Sequence, residues 1–438
     1  MLRLENWRTW FKQQPVSYKW FLWIILLRPV IDVFWYVKQT SIVSPLQITG
    51  MVTLLYSFYY FLKLPNRQMR NLPTPFLLFS LLLFLNLFFL VIESKQADAL
   101  SHFLRTITPI IVFLYMTKII NSRERFIGFL YTYLISSIFP LCVLFYEIIF
   151  SPIRYVELNE SRGGGYRLTG LYADLFNYMS FLIGNYLILC YFFIKNLILR
   201  KSNVGVGVVI VVLFIVILGI NGLKHQASWS VFIMISIIAL LYSFKFQSVK
   251  KLVGIILLCL FFTTPIIYSS IFKPLFAKEI GAYKGEAEKD RMLNGRIIRW
   301  EKYFELWDSE SVYTKLFGVQ FSEISYKNKR AMTSGGMHSD YVRFLFASGI
   351  IGLLSLIGFY VAMFRRRKYL KSYDSFFNVT AVVIMLMYSI SSNPLGSSGV
   401  LMYLVMAGLS YGLNYPVVNK DTQKQLSTFS ENQSVLKQ

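Results

Sequence analysis

The chain has 438 residues, of which 55% are hydrophobic and only 15% charged, and its mean hydropathy is +0.51. That balance excludes a soluble domain of this length and points to an integral membrane protein. The net charge of +23 would suggest nucleic acid in a soluble protein, but here the basic residues flank apolar stretches, so no nucleic-acid partner is expected.

Apolar runs long enough to cross a bilayer recur from end to end, roughly twelve of them at ~20 residues per span. They centre on residues 20–36, 46–61, 75–92, 100–120, 126–150, 173–193, 204–220, 227–244, 252–271, 341–364, 376–391 and 400–413. Hydrocarbon cannot satisfy an open backbone, so the predicted fold class is an all-α polytopic integral membrane protein. Its predicted parts are N-terminal transmembrane helices over 1–272 and one large extracytoplasmic loop containing short helices over 273–340. C-terminal transmembrane helices over 341–415 and a disordered cytoplasmic tail over 416–438 complete it. Basic residues precede the first span and no small-residue cleavage pattern follows it, so it reads as a retained helix.

In that first span Arg28 and Asp32 are four apart and share a helix face, with Pro29 between them. Such a pair is either a structural lock or part of a proton path. The lock is favoured, because Glu93, Asp98, Glu147 and Asp174 all fall at or near span ends. Near the outer end of the fourth span, His102 and Arg105 accompany Thr106 and Thr108. They read either as an interfacial cluster that reaches the headgroups or as the lining of an outward-facing polar cavity. Cys142, Cys190 and Cys259 all lie in apolar spans, where a thiol acts as a small hydrophobe.

Basic groups recur at every second connection, among them Arg8 and Lys12, Lys63 and Arg67, Arg123 and Arg125, Lys195 and Arg200, Lys250 and Lys251, and Arg365 to Lys368. By the positive-inside rule both termini are cytoplasmic and the long loop is outside. Three outside connections are basic despite the rule: 151–172 with Arg154, Arg162 and Arg167; 221–226 with Lys224 and His225; and the long loop with Arg291, Arg296, Arg299 and Arg330. These cations either meet an anionic ligand at the outer face or are solvated loop charges beside Asp290, Glu301 and Glu305.

The long loop carries an amphipathic stretch from Gly295 to Trp307. Helical spacing puts Arg296, Arg299 and Tyr303 on one side and Ile298, Phe304 and Trp307 nearer the other. Gly318 follows, then Gly335-Gly336, then His338-Ser339-Asp340-Tyr341 leading into Gly349 and Gly352.

This order resembles the O-antigen ligase and polymerase superfamily, multi-span enzymes that act on lipid-linked glycans outside the cytoplasmic membrane. The matching residues are Arg167-Leu168-Thr169-Gly170 with Asn177, Arg296 with Trp300 and Gly318, and His338 with Gly349 and Gly352. The spacing from Arg154 to Gly165 also resembles a polymerase loop motif. The chain departs from the family pattern at Ser339, where the family has Asn, and at Lys224-His225, where it has Ser-Arg.

The resemblance implies a polyprenyl-diphosphate-linked oligosaccharide as donor, a substrate that already carries its leaving group. Transfer then needs a base for the acceptor hydroxyl and cations for the departing diphosphate. A histidine, with an ordinary pKa of ~6.5, suits the first task, and guanidinium groups that grip phosphate in pairs suit the second. On this reading His338 is the catalytic base, while Arg167, Arg296, Arg299, Lys224 and His225 bind the diphosphate. Asp340 and Tyr341 bind sugar hydroxyls, and no metal or other cofactor is called for. Expected partners are the lipid-linked donor, the lipid bilayer and other polysaccharide-assembly proteins. A polymerase of repeat units is the leading expectation, with a ligase of finished glycans as alternative. A lipid-linked oligosaccharide flippase is the third reading, weakened because the chain has one dominant outer loop and no evident repeat.

Overall fold

A computed structural model of the chain describes residues 4–36, 44–65, 71–94, 97–151, 155–157, 166–172, 175–198, 225–244, 296–318, 339–391 and 399–415, with single positions at 153, 222, 281, 284, 285 and 395. Every predicted apolar stretch that falls on these residues is helical; those at 204–220 and 252–271 lie outside them, as does the tail over 416–438.

Helix α1 (Leu4–Gln13) is short and amphipathic, with Trp7, Trp10 and Phe11 at helical spacing and Arg8 and Lys12 facing outward. The Trp7 indole donates to Thr132 Oγ1 at 3.1 Å. Trp10 lies flat against Gly128, where a side chain on residue 128 would strike its ring. Helix α2 (Val16–Ile31) runs through Pro29 into a 3-10 turn, Asp32–Tyr36. Arg28 and Asp32 form a buried ion pair at 2.7 Å there, the arrangement their spacing predicts.

Helix α3 (Pro45–Lys63) opens on a capping box: Ser44 accepts from the Gln47 amide at 3.3 Å and the Gln47 side chain accepts from the Ser44 amide at 2.9 Å. Its last carbonyls, at Phe61 and Leu64, accept from the Lys118 ammonium. A cation is favoured at that end by the helix dipole. Lys118 belongs to α5 (Ala97–Ile119), which follows α4 (Thr74–Ser94).

The stretch predicted as one span over 126–150 is broken into α6 (Arg123–Ser136) and α7 (Ile138–Ile149). Ser137 sits at the break, its hydroxyl 2.9 Å from both the Tyr133 carbonyl and Asn185 Oδ1, which share its one proton. The connection after α7 adds one short strand pair to the helical fold: Tyr155–Glu157 (β1) and Tyr166–Leu168 (β2) pair antiparallel, with Val156 opposite Arg167. Short segments rich in β-formers can pair locally through their own backbone groups.

The remaining helices are α8 (Leu175–Ile198), α9 (Gln226–Ser243), α10 (Arg296–Asp308), α11 (Val312–Phe317), α12 (Asp340–Arg365), α13 (Ser372–Ser391) and α14 (Val400–Asn414). Helix α14 is apolar all round and buried from Val400 to Leu413, because α5, α6, α8 and α13 surround it. Helix α4 packs along α12, and α9 along α13.

Outward faces stay apolar. Leu77, Leu81, Phe84, Phe88 and Ile92 of α4 are exposed, as are Met51, Leu55, Tyr59 and Leu62 of α3. Such stripes fit a membrane protein. Among the described residues, four helical stretches are long and apolar enough to cross a bilayer: Arg123–Ile149, Tyr178–Asn196, Asp340–Tyr369 and Ser372–Ile390. Shorter apolar helices join them at Thr74–Phe89, Thr106–Ile119, Ala227–Ser243 and Val400–Asn414. Of the cysteines, Cys142 and Cys190 are free thiols on helices and Cys259 lies outside the described residues.

Candidate functional site

The first turn of α12 is tied down by the side chains of Ser339, Asp340, Tyr341 and Arg343. Ser339 caps the helix, accepting from the Val342 amide, and its hydroxyl donates to the Ser389 carbonyl of α13 at 3.0 Å. Asp340 is fully buried; its Oδ2 accepts from the Leu395 amide at 2.9 Å, and its Oδ1 faces the Arg343 guanidinium at 3.8 Å. The Tyr341 hydroxyl donates to the Leu386 carbonyl at 3.1 Å. Arg343, itself buried, donates to Thr106 Oγ1 of α5. A carboxylate near a helix N-terminus is favoured by the dipole, and the guanidinium one turn on opposes part of the penalty of its burial. His338, immediately before this turn in sequence, lies outside the described residues.

On the neighbouring face of α13, His225 ends the connection 221–226 and precedes α9. Its Nδ1 lies 2.7 Å from Ser228 Oγ, which lies 2.9 Å from the Tyr388 hydroxyl of α13. Leu386, Tyr388 and Ser389 belong to one turn of α13. That turn therefore receives both the His225 segment and the start of α12. Lys224 lies outside the described residues.

Arg167 stands in β2, and the next residue, Leu168, reaches the connection 221–226. A side chain added at Gly222 would meet Leu168 Cδ1 at 2.7 Å. Two of the three basic connections are thus in contact. After β2 the chain turns at Gly170, with φ +56, where a side chain would meet the Tyr178 ring. Tyr172 is buried beyond that turn, and burial followed by the Asp32 carboxylate pushes its phenol well above the ordinary tyrosine range.

The third basic connection docks on α12. Helix α10, which begins at Arg296, places Tyr303 and Trp307 against Phe346, with ring centroids 5.9 and 5.0 Å apart. Here the expected sides are corrected: Tyr303 is buried with Trp307, whereas Phe304 is 41% exposed. Positions 300, 303 and 307 fall on one face at 3.6 residues per turn, and Phe346 receives that face. Arg296 is half-buried, and the Arg299 side chain lies outside the described set.

Helix α11 ends against α12 at a break in that helix. Gly349 has φ 68 and ψ −176, and the Gly318 nitrogen lies 2.5 Å from where its side chain would begin. The Asn86 amide of α4 donates to one carbonyl on each side, Phe317 at 2.7 Å and Ala347 at 2.9 Å. Gly352 lies against Ser348. Three residues of the family-like pattern, Gly318, Gly349 and Gly352, are therefore gathered at one helix break.

Arg343, Ser228, Tyr388 and Asn86 were not singled out by sequence. Arg343 had a readable signal, an arginine three residues after an aspartate at the head of an apolar run. Single hydroxyl and amide side chains in apolar helices carry none. Among the described residues, no three His, Cys, Asp or Glu side chains gather into a metal-binding group. No family model matches the chain, and no curated protein matches it significantly.

Proposed function

We propose that the chain is a glycosyltransferase of the outer face of a bacterial cytoplasmic membrane, similar to O-antigen polymerases. It joins polyprenyl-diphosphate-linked oligosaccharide repeat units into a surface polysaccharide. On this reading both termini are cytoplasmic and roughly twelve spans carry the long loop outside.

One observation carries the reading. Leu168 beside Arg167 touches the connection that holds His225, and His225 and Ser339 are anchored on the same turn of α13. Segments far apart in sequence, each bearing a cation or adjoining His338, are drawn to one end of the bundle. That is what a site for a lipid-bound dianion needs.

The chemistry follows. His338 takes the acceptor hydroxyl proton as the acceptor oxygen bonds to the anomeric carbon. The bond from that carbon to the diphosphate oxygen breaks, and the diphosphate leaves with the electron pair. Arg167, Arg296 and Arg299, with Lys224 and His225, hold the charge that departs. Attack opposite the leaving group inverts the anomeric centre. Asp340 and Tyr341, expected to bind sugar hydroxyls, are instead engaged by the Leu395 amide and the Leu386 carbonyl, so their part is to hold the first turn of α12.

The test is purified protein in sealed liposomes with a synthetic lipid-linked repeat unit. A ladder of lengthening products supports the polymerase. Transfer to a lipid or protein acceptor without a ladder replaces it with a ligase. Movement of the donor across the membrane without transfer replaces both with a flippase.

A further inference from the structure

Helix α11 carries its apolar side chains outward. Val312 and Leu316 are four apart, as are Tyr313 and Phe317, so the two pairs form one face. Val312 is 70% exposed and Tyr313 79%, and Leu316 and Phe317 are exposed with them. The polar groups serve the joint with α10. Ser311 caps α11, accepting from the Thr314 amide at 3.2 Å, and the Lys315 ammonium donates to the Asp308 carbonyl at 2.9 Å. On α10 itself Glu301, Lys302 and Glu305 are exposed, a face suited to water. The face of α11 is not.

Depth identifies what covers it. The Phe317 carbonyl accepts from Asn86 of α4 at 2.7 Å, which fixes the level of α11 against a helix with an apolar outer side. That side continues past Asn86. Phe88, Phe89 and Ile92 are all exposed, and Ile92 lies about 9 Å further along the axis at ~1.5 Å per residue. Leu81 and Phe84 are exposed before it. Asn86, and the end of α11 that it holds, therefore lie within the apolar belt of α4. Helix α12 gives the same level. From the break at Gly349, which Gly318 touches, to Arg365 the axis rises about 24 Å, short of a ~30 Å hydrocarbon core. Ile350, Leu354, Ile357 and Val361 form an exposed apolar stripe that starts at the break. Backbone at such a depth needs protein partners, and the end of α11 has them: the Gly318 amide donates to the Thr314 carbonyl at 2.9 Å, and Asn86 serves Phe317.

We infer that α11 is a re-entrant element of the long loop, seated in the edge of the hydrocarbon with Val312, Tyr313, Leu316 and Phe317 among phospholipid acyl chains. Lipid is the occupant because the exposed stripes of α4 and α12 flank this level and continue past it. A stretch expected in water outside the membrane is thus fastened within it. Tyr303 and Trp307 of α10 relay that position to Phe346, near the head of α12. No step of the proposed transfer enters into this placement.

The experiment is electron paramagnetic resonance of single spin labels in phosphatidylcholine–phosphatidylglycerol liposomes. Labels enter by Val312→Cys or Tyr313→Cys in the full chain, with Cys142, Cys190 and Cys259 replaced by alanine. Both sites are open, so loss of one variant to misfolding leaves the other. Collisions with oxygen, which concentrates in hydrocarbon, are compared with collisions with a neutral nickel chelate, which stays in water. Leu81→Cys on α4 is the hydrocarbon reference and Lys302→Cys on α10 the water reference. The expected result is oxygen favoured at both α11 sites, as at Leu81→Cys, with the order reversed at Lys302→Cys. Nickel favoured at either α11 site overturns the inference and puts the face in water. Shielding from both reagents overturns it in favour of a protein contact. An oxygen preference that arises only after a lipid-linked oligosaccharide is added overturns it in favour of that lipid's own chain.

Discussion

Gly318 and Gly349 meet backbone to backbone, the nitrogen of one 2.5 Å from where the other's side chain would begin. Both have positive φ, 89° and 68°, and Gly349 lies in a region that only glycine occupies readily. The contact fastens α11 to the break in α12, and Asn86 donates to one carbonyl on each side, Phe317 at the end of α11 and Ala347 beside the break. Alanine at either position adds strain and overlap with backbone, so each should lose about 2–4 kcal/mol of stability. Gly50, with open space around it in the middle of α3, is the control, and its alanine variant should gain about 0.5–1 kcal/mol. Thermal midpoints of detergent-solubilised protein measure all three. Equal behaviour of the Gly349 and Gly50 variants would contradict the packing.

Arg28 and Asp32 give a second test, because a buried pair behaves differently when broken than when replaced. Arg28→Met or Asp32→Leu alone leaves an opposite charge buried and should cost about 3–5 kcal/mol. The double variant removes both charges and should recover most of that loss. Protein abundance in the membrane, together with thermal midpoints, reads the result. A double variant as damaged as the worse single one would show that the pair does more than lock α2 in place.

The seat of α1 rests on one glycine. Gly128→Ala puts a methyl group into the Trp10 ring and should lift α1 from α6. Overpacking of this kind costs about 1–3 kcal/mol, much of what a ten-residue amphipathic helix can gain by docking. Limited proteolysis from the N-terminus should cut within Leu4–Gln13 faster in the variant than in wild type. Equal rates would mean that Trp10 adapts without releasing the helix.

At the head of α12, Asp340→Ala should destabilise by about 3–5 kcal/mol, since it leaves Arg343 buried without its counter-charge. Asp340→Asn keeps an acceptor for the Leu395 amide and should cost less. If Asp340→Ala unfolds at the wild-type temperature, the carboxylate does not hold this turn.

Helix positions were the most legible part of the sequence, because a run of apolar residues in a bilayer admits one backbone solution. The Arg28–Asp32 pair was legible for the same reason: spacing of four on a helix leaves little choice of geometry. The break at Ser137 was not legible, since hydropathy over 126–150 is continuous and the hydroxyl that stabilises the break is a local event. The glycine contact was half legible. Gly318 and Gly349 stood out in the sequence, but their meeting depends on α11 folding back across α12, which no periodicity encodes. The contacts from His225 through Ser228 to Tyr388 were invisible, because Ser228 and Tyr388 are ordinary residues until α9 and α13 lie side by side.

The most direct test of the account is the length of surface glycan made by cells deleted for this chain and complemented with wild type or His338→Ala at matched membrane levels. No long chains are expected from the variant, with single lipid-linked units accumulating outside the cytoplasmic membrane. Chains of normal length from His338→Ala would contradict it, removing the base on which the proposed transfer depends.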